Sequence, residues 1–300
     1  LGLRAAVLLF KNGASRLLLA SRSGRVARDG QGLERHLQSL AAIAEVTACD
    51  SALSTDMSIL CNGGTSTSGV LHAAGVGDKG LLAELEQARV HWMYGPKAFG
   101  AWYLQCAVTT ELLEAWVLWS SVGAGLGNVG QSNYAAGNAC LDALALARRA
   151  HGVVACSMQW PLIGGAGMGE AAFASVRTRL ISIAGMASIS LEEYAHVLGT
   201  QLVAHRGVAG SVQVAHQSDV RELLGDLADP SQPRFCELAH MRESVQIVSD
   251  AAPAALAEQS MLTQALAPLA TAQRQSYVEA TVLRVVSELT GEVSTALAAG

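Results

Sequence analysis

An α/β fold, a parallel sheet covered by helices on both faces, is what this 300-residue sequence predicts. Three observations point there. Short apolar runs alternate with stretches of helical spacing from residue 3 to residue 160. The run RLLLAS at 16–21 is continuously apolar, as a strand buried on both faces would be. Composition is 51% hydrophobic but only 5% aromatic, which suits an Ala/Val/Leu-rich α/β protein better than a β-sandwich.

Taken in order, residues 3–10 have helix-forming composition and Asn12-Gly13 is a C-terminal stop. Residues 16–21 form the first strand. Ser23-Gly24 turns the chain, 32–42 has helical spacing, and 43–49 is the next strand, ending at Asp50. A short helix at 53–60 and a polar turn at 62–69 lead to an apolar strand end at 70–72. Helices follow at 80–88 and 91–113, then a strand at 116–119, a Gly-rich loop, a helix at 131–150 and a strand at 153–160. Beyond Pro161, the stretch 163–170 is Gly-rich, and helical 171–183 would lie over the strand tips as a lid. Residues 210–214 form a last strand and 219–227 a closing helix. Periodicity then fades, with Pro230, Pro233, Pro253 and Pro268 in an Ala-rich background, which reads as a linker. From Gln273 one apolar helical face returns (Tyr277, Val278, Thr281, Val282, Val285, Val286, Leu289), stopped by Gly291. The division expected is a domain at 1–225, a linker at 226–272 and a helical segment at 273–300.

Charge and composition exclude several functions. A net charge of −5 with no basic stripe gives no footprint for nucleic acid or an anionic membrane. The six cysteines and eight histidines are scattered, with no C-x-x-C and no zinc spacing, so no metal site is expected. Most of the cysteines read as small buried hydrophobes in a reducing compartment, and a cytoplasmic location is expected, an organellar one staying open. Residues 115–141 carry no charge, but glycines, serines, Gln131 and two asparagines interrupt them, so no membrane span is expected. The first residues do not form a secretory signal.

Open parallel sheets bind ligands beyond the C-terminal ends of their strands. There the sequence places Ser21-Arg22, Asp50, His72 to Gly75, Ser120-Ser121 and Gln159-Trp160, all toward one crevice. Reducing a ketone requires a proton for the developing alkoxide, from an acid whose pKa is tuned toward neutrality. A free Tyr sits at about 10, so a fixed cation must lower it. Tyr134 is the candidate phenol, Ser121 a hydrogen-bond donor to the carbonyl oxygen, and Lys97 the cation. Asn138, one helical turn past Tyr134, could hold a water or orient Lys97. Singly, each has a plainer reading: Tyr134 as packing, Ser121 as a loop serine or helix cap, Lys97 as a solvated lysine and Asn138 as an exposed helix residue.

Together their spacing resembles a known family. Ser121 and Lys97 lie 13 and 37 residues before Tyr134 and Asn138 four after it, within Q-S-N-Y-A-A-G-N-A. This is similar to a short-chain dehydrogenase/reductase, and specifically to the ketoreductase domain of a modular polyketide synthase. That subfamily carries its lysine upstream in P-K-x-x-G-A, matched here by Pro96 to Ala101. L-x-x-S-R at 18–22, A-C-D at 48–50 and G-V-L-H-A-A-G at 69–75 match as well, and the resemblance spans about 1–225.

The resemblance implies a Rossmann-like doubly wound parallel sheet and NADPH-dependent reduction of a carrier-tethered 3-oxoacyl thioester. It makes Tyr134 the proton donor, Ser121 the residue that positions the β-keto oxygen, Lys97 the cation that lowers the Tyr pKa and Asn138 a support for the relay. For the cofactor it implies Arg22 on the 2′-phosphate, Asp50 on the adenine, Ala73, Ala74 and Gly75 along the adenine ribose, and Ser21 and Gly2 as further contacts. A guanidinium at a strand tip suits a phosphate, whereas an Asp after a strand is also a common helix cap. Neighbouring synthase domains and an acyl carrier protein domain would be the partners.

Two departures qualify the match. Of the family's Gly-rich phosphate loop only Gly2 is present, and the first strand before it is missing. The expectation is a piece of a longer protein, weaker in NADPH binding and in stability than a complete domain. Gly77-Asp78-Lys79 stands where one product class has L-D-D, and Leu126 where the other has Trp, which leaves the hydroxyl configuration open. Residues 273–300 resemble the first helix and loop of an acyl carrier protein, ending before the serine that would bear phosphopantetheine. Two rivals remain: a degenerate reductase domain kept as a structural or docking element, and a free-standing reductase of small alcohols. The upstream lysine and carrier-like tail disfavour the latter.

Overall fold

The computed structural model describes residues 1–25, 33–61, 67–78, 80–109, 111–127, 130–164, 188–204, 212–213, 220–227, 229–236, 269–270, 273–278 and 280. Helix α1 (Gly2–Lys11) buries Ala5 and Ala6. It stops at Asn12, whose Nδ2 donates to Leu8 O at 2.8 Å, followed by Gly13 at φ 94°. Next come β1 (Leu17–Ser21), α2 (Leu33–Ser39), β2 (Ala44–Ala48), α3 (Ser54–Cys61) and β3 (Gly69–His72). After a 3-10 turn at Leu82–Glu84, α4 (Gln87–Tyr94), a π turn (Gly95–Phe99) and α5 (Gly100–Ala107) form one helical run. The chain continues through β4 (Ala115–Ser121), α6 (Val122–Leu126), α7 (Ser132–Ala150) and β5 (Cys156–Trp160). It then gives α8 (Leu191–Ala204), β6 (Val212–Gln213) and α9 (Val220–Asp226).

Among the described residues all the strand pairs are parallel, as the alternation of strands and helices requires. The described strands form two hydrogen-bonded sheets, β1–β2 and β3–β4–β5–β6. In the larger sheet β4 shows why its sequence is apolar from Ala115 to Trp119. Trp116 and Leu118 face a core with Val70, Ala101, Leu104, Leu141 and Ala145, while Val117 and Trp119 face another with Ala5, Met158, Tyr194 and Leu198. The first core also takes in Cys49 and Met57, so the β2–α3 unit shares it, with α3 packed on α5.

Several expectations are corrected. The run at 16–21 was expected to be buried on both faces, but β1 pairs only with β2 among the described residues, and Leu18 is 46% exposed. The helix expected at 80–88 is only a 3-10 turn before α4 begins. The helix expected at 91–113 ends at Ala107, and β4 runs on through both serines. The loop after β4 contains α6, with Ser121 as its N-cap. Within the expected linker, Pro233–Phe235 form a 3-10 turn that buries Phe235. The expected lid at 171–183 lies outside the described residues, as does most of the C-terminal helix, of which 273–278 are helical.

Helix α8 was not expected, although a signal was present. Ser190 Oγ accepts from Glu193 N at 3.1 Å, and Glu193 Oε2 accepts from Ser190 N at 2.7 Å, a reciprocal capping box. Ser190→Ala is expected to destabilise the fold by about 1 kcal/mol, read as a lower urea midpoint at unchanged slope. An unchanged midpoint would show that α8 is held by its apolar face alone.

Candidate active site

The sequence-predicted residues Lys97, Ser121, Tyr134 and Asn138 come together where β4 ends, between the helical run α4–α5 and helix α7. Lys97 sits in the π turn, a helical form rare in proteins and frequent at functional sites. It is not the solvated lysine its isolated sequence context suggests, being only 3% exposed. Its Nζ donates to Trp119 O at 3.0 Å and Asn138 Oδ1 at 2.8 Å. Gly75 lies against its stem so closely that a Cβ there would stand 2.8 Å from Lys97 Cε. Burial pulls the Lys97 pKa down to about 8, and the Asp142 carboxylate acts the other way.

Asn138 is fully buried, not exposed, because α7 turns this face onto the β4 tip. Its Nδ2 donates to Tyr134 O at 2.8 Å, which leaves Oδ1 directed at Lys97. Of the two roles open to it, orienting Lys97 is the one the geometry displays. Tyr134, in the first turn of α7, lies with its ring under the ammonium, 5.5 Å from Nζ to centroid. Burial raises the phenol above its ordinary value, and hydrogen bonding to the Ser121 and Asn138 side chains offsets this only in part. The lowering expected from Lys97 is therefore not the net result, because burial is the largest influence on the phenol.

The two serines at the tip divide their work. Buried Ser120 donates to Asn138 O at 3.4 Å and ties β4 to α7. Ser121 accepts from Gly123 N at 3.2 Å, the capping role, and its side chain also reaches Tyr134. Sequence reasoning missed two contributors. Trp119 acts through its backbone carbonyl, which leaves no trace in side-chain identity. Asp142 lies one turn past Asn138, a readable spacing; it accepts from Ser157 Oγ at 2.5 Å and Gln159 Nε2 at 2.7 Å, joining α7 to β5. Close by, His72 is buried and its pKa falls to about 4, first from burial and then from the Lys97 charge, so the imidazole is neutral.

The cofactor candidates gather at the strand ends. A Cβ on Gly2 would come within 3.3 Å of Ala73 Cβ, so the start of α1 meets the chain leaving β3, where Ala74 and Gly75 follow. Arg22 is exposed just after β1, in a turn pinned by Ser21 Oγ donating to Arg25 O at 3.3 Å and Cys49 N donating to Ser21 O at 2.9 Å. Asp50 does not cap α3, which begins at Ser54; its Oδ1 accepts from Ala52 N at 3.0 Å in the turn before that helix. The end of β2 reaches the lysine-bearing run: a side chain on Gly100 would strike Ser51 O at 3.0 Å and His72 Cε1 at 3.2 Å. No His/Cys/Asp/Glu cluster among the described residues could hold a metal ion, and no helix among them is long and apolar enough to cross a membrane.

Comparisons with known proteins address the family and the fold. A family model described as the KR domain matches residues 1–165. The spectinabilin polyketide synthase system protein NorB of Streptomyces orinoci is 35% identical over 250 residues, covering 78% of this chain and 12% of that protein. Polyketide synthase GfsB of Streptomyces halstedii is 43% identical over 176 residues, covering 57% of this chain and 3% of that protein. The chain thus spans a small fraction of these curated relatives. Among solved structures, A-type ketoreductases from a modular polyketide synthase superpose with TM-score 0.67 at 27% identity, covering 79% of this chain and 51% of that one. PlmKR1, a ketoreductase from the first module of phoslactomycin biosynthesis in Streptomyces sp. HK803, gives TM-score 0.65 at 30% identity over 79% and 54%.

Proposed function

The chain belongs to the KR domain family, and from that premise we propose that it reduces a carrier-bound 3-oxoacyl thioester to the 3-hydroxyacyl thioester with NADPH, during polyketide or fatty acid chain elongation. The observation that carries this is the convergence of Lys97, Asn138, Tyr134 and Ser121 at one strand tip. NADPH, when bound, supplies the hydride. Ser121 donates a hydrogen bond to the ketone oxygen and fixes it beside the phenol. Tyr134, protonated at neutral pH, gives its proton to that oxygen as negative charge develops. Lys97, above the ring, stabilises the phenolate left behind, where water is largely excluded and a charge acts more strongly than in bulk. Asn138 keeps the ammonium in place.

The residues fit the cofactor. The exposed Arg22 guanidinium suits a 2′-phosphate. Gly2, Ala73, Ala74 and Gly75 offer close backbone approach, and α1 begins there with the positive end of its dipole. Ser21 and Asp50 complete the set, Asp50 while also holding the turn before α3. The substrate partner proposed is an acyl carrier protein domain, its phosphopantetheine arm presenting the thioester, among neighbouring synthase domains in the cytoplasm. Residues 1–225 form the reductase, 226–272 the linker and 273–300 the start of the carrier domain.

The test is NADPH oxidation by the full chain with a 3-oxoacyl thioester. Turnover above that of Tyr134→Phe supports the reading. Equal, background rates would favour the degenerate domain. A pH profile sharpens it: Lys97 loses its charge above pH 8, given its pKa of about 8, so kcat is expected to hold below that pH and fall above it. Lys97→Met should abolish that limb along with most of the activity. A profile flat to pH 10 would remove Lys97 charge from the mechanism.

A further inference from the structure

The loop after β3 carries an ion pair, buried on its Asp78 side and partly open to solvent on its Arg89 side, that the chemistry above leaves unused. Asp78 is 8% exposed, and its Oδ1 accepts from Arg89 Nε and Nη2 of α4, each at 2.7 Å. Its Oδ2 accepts from Asn133 Nδ2 at 2.8 Å, and the same amide reaches Arg89 O at 3.4 Å. Gly80 N donates to Gly130 O at 2.8 Å, which ties the loop to the approach into α7. Gly80 also packs so tightly on the guanidinium that a Cβ would stand 2.7 Å from Arg89 Nη1.

The position of this cluster gives it meaning. Asn133 immediately precedes Tyr134, and Asn138, four residues after it, holds Lys97. Three residues before Asp78, the same loop presses Gly75 onto the Lys97 stem. Tyr134 is thus bracketed by two tethers, one to each end of the loop's reach. An ion pair with its guanidinium partly open to solvent is a weak source of stability; the best-attested use of such a polar cluster is fixing register.

We propose that Asp78, Arg89 and Asn133 form a positioning clamp that sets the first turn of α7, and so the Tyr134 phenol, against Lys97 and Ser121. The clamp touches neither substrate nor cofactor; it acts through Tyr134. Its kinetic consequence rests on the reductase reading above.

The experiment exchanges the partners in the full chain. Asp78→Asn breaks the ion pair, and Asn133→Asp sets a second carboxylate against Asp78. Each alone is expected to lower kcat on the order of 10- to 100-fold, the penalty of a small misplacement, with thioester and NADPH KM within about twofold. The double exchange restores the donor–acceptor pair between 78 and 133 with its ends reversed, but not the ion pair to Arg89, and is expected to recover part of the kcat lost in Asn133→Asp. A second readout does not need turnover: alkaline ultraviolet titration of Tyr134, taken as the difference between each chain and its Tyr134→Phe counterpart. The midpoint should move in the single variants and return partway in the double. Single variants with parental kcat and midpoint overturn the clamp, as does a folded double exchange no better than the worse single. A single that fails to fold leaves the double exchange to decide. Absence of turnover in the parent counts against the reductase reading, and the titration then decides the clamp alone.

Discussion

Tyr134→Phe is expected to lower kcat by about 10²–10⁴-fold, the range that one positioned proton donor contributes, while NADPH affinity stays near that of the parent. The ring would remain under the Lys97 ammonium, so the contact at 5.5 Å would persist, as would the Asn138 bond to the backbone carbonyl of residue 134. Only the hydroxyl and its bonding to Ser121 and Asn138 would go. Steady-state kinetics with a 3-oxoacyl thioester, together with NADPH titration by fluorescence, separates the two effects. Parental turnover in the variant would exclude Tyr134 as the donor. Joint loss of cofactor binding would point instead to a packing role for the hydroxyl.

Trp116→Ala is expected to cost about 3–5 kcal/mol of stability, enough to unfold much of the population of a marginally stable domain. Trp116 is fully buried at the centre of the core shared by β3, β4, α5 and α7. Its ring lies under Arg148, with Cζ 4.1 Å from the centroid. Arg148 is itself buried, and its hydrogen bonds go to neutral acceptors, Val154 O at 3.3 Å and Gln105 Oε1 at 3.4 Å. Removing the ring therefore opens a cavity and strips a desolvated cation of its aromatic face. Trp116→Phe is expected to cost much less, because it keeps a ring and removes an indole N–H that has no hydrogen-bond partner among the described residues. Urea unfolding of both variants checks the pair; an Ala variant within about 1 kcal/mol of the parent would mean that the core collapses to fill the space.

The parts of the fold that were legible in sequence are those with one strong local signal. The apolar run of β4, the Ala-rich amphipathic α7 and the turn glycine after α1 were each read where they stand. Positions where tertiary packing overrides local pattern were not. The two-faced burial expected of 16–21 rested on continuous hydrophobicity, which cannot tell whether a strand has neighbours on both sides. The π turn has no composition of its own, so 91–113 read as one plain helix. The site followed the same division. Spacing identified Tyr134, Ser121, Lys97 and Asn138, yet it could not say that Lys97 is buried, that Asn138 orients it, or that burial holds the phenol above its usual range. Those properties depend on groups far apart in sequence, such as Gly75 against Lys97 and Trp119 O on its ammonium.

The π turn has one more consequence, which concerns winding. Helices α4 and α5 make one rod, and a π turn wraps more residues per turn than the α-helix on either side of it. In an α-helix each residue advances the azimuth by about 100°, so the extra residue offsets the two halves by roughly that angle. Arg89 and Met93 of α4 can therefore address Asp78 and Gly137, while Leu104 of α5 addresses the core beneath β4. A straight α-helix through the same endpoints would satisfy one set of neighbours and turn the other away. The site lysine sits at that change of phase.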